Sequence, residues 1–225
     1  MMMSVASAST ALATTVGVMA WGENLFGELG NGTTISSDEP VSLSEQVGVT
    51  AVSAGVNFSL ELLEDGTVRS WGYNSTGQLG DGTYESSDVP VDVSGLSDVT
   101  AISAGAYHAL ALLADGEVEA FGEVEGNTPV AVEGLSGVTA IAAGGYHNLA
   151  LLTNGTVVAW GYNHYGQLGN GTTISSETPV EVSGLSNVVA ISAGKDYSLA
   201  LLSDGKIFAW GENEEGELGD GTTID

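Results

Sequence analysis

Short apolar runs punctuate this chain at regular intervals, and none has the length or the 3.6-residue spacing of an amphipathic helix. Val99-Thr100-Ala101-Ile102, Val138-Thr139-Ala140-Ile141 and Val188-Val189-Ala190-Ile191 are three of them, and an Ala-Gly pair closes each. Two more strands are expected after each Ala-Gly, such as Leu110-Ala111-Leu112-Leu113 and Val118-Glu119-Ala120. Between them stand Asp65-Gly66, Asp115-Gly116, Asn154-Gly155 and Asp204-Gly205. Asp-Gly or Asn-Gly between apolar runs predicts a hairpin whose two central residues both take positive φ. A fourth strand is expected to begin after each of Pro40, Pro90, Pro129 and Pro179, where residues alternate as in Val91-Asp92-Val93. Proline confines such a strand to a sheet edge. Several short strands per interval, with turn signals between them, predict an all-β fold.

The intervals are copies of one unit. WGYNSTGQLG at residues 71–80 returns as WGYNHYGQLG at 160–169, and more loosely at 21–30 and 210–219. A further copy begins at Phe121-Gly122 and is cut short. The starts at Trp21, Trp71, Phe121, Trp160 and Trp210 are 50, 50, 39 and 50 residues apart. The repeats are therefore 21–70, 71–120, a shortened 121–159, 160–209 and a half repeat, 210–225. Residues 1–20 are uncharged and rich in small side chains; Thr14 to Trp21 resembles a shortened copy of Leu63 to Trp71. They are read as a partial blade strand or N-terminal segment in preference to a signal peptide, for which the basic start is missing. One unit alone is a small sheet with two faces to bury. Radial stacking of copies buries both, which is the propeller solution.

The Trp-Gly-x-Asn-x-x-Gly-Gln-Leu-Gly-x-Gly block, the later proline, the Ala-Gly-x-x-His-x-Leu-Ala-Leu strand and the Asp-Gly-x-Val-x-Ala ending resemble the regulator of chromosome condensation repeat. The resemblance covers essentially residues 10–225. It implies a β-propeller of four-stranded blades, here about four and a half repeats of about 50 residues. The third unit departs from the pattern, passing from Phe121 to Pro129 without the Gly-Gln-Leu-Gly loop. Seven blades, common in that family, would need roughly 350 residues at this period. Three arrangements follow: the two ends share one blade of a five-bladed ring, the chain is a piece of a longer array, or the half blades are completed by another copy. An open edge strand invites the last.

Charge narrows the partners. There are 29 acidic residues against three basic ones, Arg69, Lys195 and Lys206, a formal net of −26. Such an excess repels nucleic acid and anionic membranes, and leaves as expected partners a protein with a basic surface, other copies of the chain, or divalent cations. A salty habitat would also make the self-repulsion tolerable. Without cysteine there is neither a disulfide nor a zinc–thiolate site. No run reaches the length of a membrane-spanning helix.

The candidate chemistry is sparse. His108 and His147 share a repeat position with Phe58 and Tyr197, an interchange that marks a packing site. Trp21, Trp71, Trp160 and Trp210 read as anchors between blades. Asp81, Asp88 and Asp220 are weak calcium candidates, since no stretch has the spacing of a calcium loop. No nucleophile elbow, metalloprotease helix or phosphate loop is present, so no catalysis and no cofactor are expected. The founding members of the resembling family are nucleotide-exchange factors that use an inserted hairpin wedge, and no such insertion stands here. Other relatives are secreted bacterial propellers, including a β-lactamase inhibitor, that grip a protein with loops on one face. The resemblance thus implies a protein-binding propeller, extracellular or on the cell surface, with Phe26, Tyr84, His164 and Tyr165 as the loop residues that would contact the partner. The alternative is a structural subunit that assembles by complementing half blades.

Overall fold

The computed structural model describes residues 17–43 and 48–224. Among them every regular element is a strand, and the strands form five antiparallel sheets. The first holds β1 (Met19–Gly22) and β2 (Ser37–Ser42). The second is β3 (Val49–Ala54), β4 (Phe58–Leu63), β5 (Val68–Gly72) and β6 (Ser87–Asp92). The third is β7 (Val99–Ala104), β8 (His108–Leu113), β9 (Val118–Gly122) and β10 (Gly126–Ala131). The fourth is β11 (Val138–Ala143), β12 (His147–Leu152), β13 (Val157–Gly161) and β14 (Ser176–Glu181). The last is β15 (Val188–Ala193), β16 (Tyr197–Leu202) and β17 (Ile207–Gly211). Each sheet follows chain order. The expectation for residues 1–16 lies outside the described residues.

A repeat written from its Trp-Gly therefore crosses between sheets. Residues 71–120 begin on the third strand of one sheet, pass through its fourth, and end on the third strand of the next.

Two local expectations are corrected. The strands bearing Pro40, Pro90, Pro129 and Pro179 begin three residues before the proline. Each is the outer strand, so the missing N–H faces no neighbour. Where the pairing is resolved, the register slips in the same stretch: Ser70 pairs with Val91, but Gly72 pairs with Ser87. The hairpins also differ from expectation. In Glu64-Asp65-Gly66 only the glycine has positive φ, +78°. Leu63 N–H donates to Thr67 O and Gly66 N–H to Leu63 O, which is a type I turn followed by a left-handed glycine. Asp65 keeps ordinary φ because its carboxylate caps the turn, accepting from Thr67 N and Oγ1 at 3.0 and 2.6 Å. Those bonds hold the Asp65 carboxyl below the usual carboxylate range.

In the shortened copy β9 and β10 are joined by Glu123-Val124-Glu125 alone. Val124 there takes φ +86° and is almost fully exposed, a strained place for a β-branched residue. Burial pushes the Glu125 carboxyl up.

The chain divides into two compact units, Met1–Ala109 with Ala120–Val130 and Leu110–Glu119 with Ala131–Asp225. In the first, Ala20, Leu29, Leu43 and Trp71 are packed together between the first and second sheets. In the second, Leu149, Leu151, Val157 and Leu168 are buried with Val188 and Ala200, and Trp210 packs against them. The tryptophans anchor by hydrogen bonds as well. Trp71 Nε1 donates to Glu28 O at 2.7 Å, and Trp210 Nε1 to Gln167 O at 2.8 Å. Serines on the middle strands add to the same carbonyls: Ser59 Oγ to Glu28 O and Ser198 Oγ to Gln167 O. His108 and His147 are buried, as a packing position requires. His147 Nε2 lies 2.8 Å from Ser198 Oγ, whose proton is given to Gln167 O, so the histidine is the donor.

Candidate functional site

In an antiparallel blade the connection from first to second strand and that from third to fourth emerge at the same end. In each unit that end of the sheets carries the short Ala-Gly-x-x connections and the long loops that follow Trp-Gly. The long loops are built around one buried asparagine. Asn74 Nδ2 donates to Thr83 O at 3.2 Å and Glu85 O at 3.0 Å, while its Oδ1 accepts from Leu79 N at 2.9 Å. Asn24, Asn163 and Asn213 make the corresponding bonds in their own loops. A side chain that replaces backbone partners in this way gives a long loop a single conformation.

The three calcium candidates serve these loops. Asp81 Oδ1 accepts from Thr83 N and Oγ1, and Asp220 Oδ1 from Thr222 N and Oγ1. These bonds lower the Asp220 carboxyl below its ordinary range. Asn31 and Asn170 do the same work uncharged. Asp88 lies on β6, where its carbonyl accepts from Gly32 N. Among the described residues no three His, Asp or Glu side chains come together as a metal-binding group.

Of the partner-binding candidates, Phe26 and Tyr84 belong to the first unit. The Phe26 ring is partly exposed and packs on Tyr73, centroids 4.6 Å apart and planes tilted by 54°. Leu25 and Val56, both well exposed, stand in the same loop and in the neighbouring Ala-Gly connection. Tyr73 N donates to Asn57 O, which ties the two connections together. Beneath Phe26 lies Glu28, only 1% exposed. Its Oε2 accepts from Phe26 N at 2.9 Å, and its Oε1 has no hydrogen-bond partner. Gln78 occupies the same place in the next loop. Tyr84 stands exposed at the tip of that loop.

His164 and Tyr165 belong to the second unit. His164 is exposed and joined to Tyr162, with Tyr162 Oη and His164 Nδ1 at 2.9 Å and ring centroids 4.5 Å apart. Tyr165 is half-buried, and the charge of Glu212 raises its phenol, with burial adding to it. Around it the Asp196 carboxylate, buried, accepts from Gln167 Nε2 at 3.2 Å and pairs with Lys195 at 3.3 Å. The hydrogen bond to Asp196 holds the Lys195 ammonium up, and burial pushes the Glu212 carboxyl up.

Sequence reasoning missed the ring partners Tyr73 and Tyr162 and the buried Glu28. Both tyrosines directly follow a Trp-Gly; His164 stands two residues after Tyr162, whereas Phe26 lies in the copy before Tyr73, so only the pair of Tyr162 and His164 had a local signal. What the loops present is exposed aromatic and aliphatic surface among carboxylates.

Two family models of the regulator of chromosome condensation (RCC1) repeat match the chain, one at residues 17–62, 65–112 and 154–201, the other at 49–78, 138–167 and 188–217. Curated protein sequences give no match. Among solved structures, human WBSCR16 superimposes with a TM-score of 0.83 at 27% identity, over 93% of this chain and 60% of its own. Prp20p from Saccharomyces cerevisiae, whose structure was described with its binding properties to Gsp1p and histones, gives 0.83 at 25%, over 95% of this chain and 57% of its own. Yeast RCC1 (Prp20) bound to Kap60 gives 0.81 at 21% over 93% and 55%. The chain thus spans between 55% and 60% of the length of these neighbours.

Proposed function

Because the chain belongs to the regulator of chromosome condensation (RCC1) repeat family and has its β-propeller fold, we propose that it is a non-catalytic, cofactor-free module that binds a protein partner with its loop end. The observation that carries this is the exposed group Leu25, Phe26 and Val56, held on asparagine-stapled loops in a chain of net charge −26. Rigid apolar anchors with a charged surround suit a partner that carries a basic patch. Tyr84, His164 and Tyr165 are further contact residues. A place outside the cell or on its surface belongs to the same reading. The yeast neighbour's described binding to proteins is in keeping with this reading. The test is affinity for a captured partner at low and high salt, with Leu25→Ser/Phe26→Ser beside the unchanged chain. The expected result is a loss of at least about tenfold on substitution, and weaker binding as salt rises. Unchanged affinity in both comparisons would overturn the reading.

A second reading is self-assembly, and one observation favours it. Leu201 and Ile207 of the last sheet are 37% and 69% exposed, whereas Leu62, Val68, Leu151 and Val157 at the same positions of the second and fourth sheets are at most 5% exposed. An apolar sheet face of this kind is covered by the next blade wherever one follows, and on this reading another copy supplies it. Light scattering should then give a mass above the monomer that Ile207→Glu returns to the monomer. A monomeric starting chain removes this reading.

A further inference from the structure

We propose that Glu28, Phe26 and Tyr73 form a receptor for one arginine side chain of the partner protein. This rests on the protein-binding reading and specifies its anchor. Glu28 is 1% exposed, and one of its carboxylate oxygens has no hydrogen-bond partner. A carboxylate held out of water is costly unless a cation or several donors compensate it. The loop needs only Oε2, which accepts from Phe26 N; Gln78 and Gln167 fill the same role with an amide oxygen. The charge at residue 28 is therefore unnecessary for the loop.

No lysine or arginine of the chain pairs with it. Arg69 lies between Glu61 and Asp92, Lys195 pairs with Asp196, and Lys206 pairs with Asp204. These are the three basic residues of the whole sequence. A lysine or arginine to pair with Glu28 would therefore come from a partner.

The surroundings select its type. Phe26, whose amide the carboxylate binds, and Tyr73 present two tilted rings in the same neighbourhood, and aromatic faces attract guanidinium better than a hydrated metal ion. A metal would also require more oxygen ligands, and no group of three acidic or histidine side chains stands here among the described residues. Exposed Leu25 and Val56 fit the methylene stem of a long cationic side chain. Glu28 is 1% exposed, so access to it requires neighbouring side chains to change rotamer, a rapid motion for surface residues. The corresponding place in the second unit differs: Gln167 stands for Glu28, Glu212 for Tyr73, and Asp196 already has its own lysine.

The test is an NMR titration of the full chain with the peptide acetyl-Gly-Arg-Leu-Gly-amide and with its citrulline counterpart, which keeps the shape and loses the charge. Expected are saturable shifts at the Phe26 amide and the Tyr73 ring with the arginine peptide, and at least about tenfold weaker binding of the citrulline peptide. Glu28→Gln should weaken the arginine peptide about tenfold, while Glu39→Gln, which removes an exposed charge of the same unit, leaves it within about twofold. Glu28→Gln keeps the loop's acceptor, so it folds as the loops of Gln78 and Gln167 do. Equal small effects of the two substitutions, or shifts spread over all the acidic loops, would overturn the proposal. If the peptide fails while partner affinity still falls with Leu25→Ser/Phe26→Ser, the arginine receptor is wrong and the loop-end surface stands; if both fail, so does the protein-binding reading.

Discussion

Trp71→Ala is expected to lower stability by about 4 kcal/mol in urea unfolding of the full chain. Trp71 is wholly buried against Ala20, Leu29 and Leu43. Its indole fills the space that Gly30 leaves open: a Cβ built on Gly30 would come within 2.9 Å of Trp71 Nε1. Truncation leaves a cavity at the seam of two sheets and removes the bond from Nε1 to Glu28 O. Trp71→Phe should cost much less, about 1.5 kcal/mol, from lost volume and one hydrogen bond. The chain itself carries Phe121 at that repeat position, equally buried. A row of tryptophans serving as a ligand platform would give the opposite ranking, with little stability lost and binding abolished. A cost below about 1 kcal/mol for the alanine variant would remove the anchor role.

Much of the fold was readable in advance because its signals are local. Trp-Gly, Ala-Gly and Asp-Gly mark strand ends, and the apolar runs between them leave only an all-β reading. The grouping of strands into sheets was less accessible. Nothing at Val49 or Val99 announces a first strand; that status comes from hydrogen bonds to strands later in the chain. The hairpin type was misread because Asp-Gly serves two turns equally well, and the Asp carboxylate favours the observed one by accepting from the amide two residues on, Thr67 N in the first hairpin and Glu117 N and Lys206 N in others.

The site was readable in outline only. Phe26 and His164 stood out as loop aromatics, yet their significance depends on Tyr73 and Tyr162, which strand geometry brings beside them. Glu28 reads in the sequence as one more acid among 29. Its burial follows from the turn that folds it beneath Phe26, and only there does its charge become informative.

Asn74→Ala should lower stability by about 3 kcal/mol and free the loop that carries Tyr84. The side chain is fully buried and serves both as donor and acceptor. Without it Leu79 N, in the buried start of the loop, loses its acceptor, and Thr83 O and Glu85 O lose a donor. Each buried group left unsatisfied costs about 1 to 3 kcal/mol, less where water can enter. The two carbonyls lie in the exposed arm of the loop and can turn to solvent; the Leu79 amide cannot, and it dominates the loss. Asn74→Asp is the sharper variant. It retains the acceptor for Leu79 N but sets a carboxylate oxygen against two carbonyl oxygens, so it should destabilise by a similar amount while the Leu79 amide stays protected from hydrogen exchange. Asn74→Ala should instead expose that amide to exchange far more quickly. If both variants cost less than about 1 kcal/mol, the loop is held by its glycine turns alone, and the rigid platform on which the binding surface depends is not provided by asparagine.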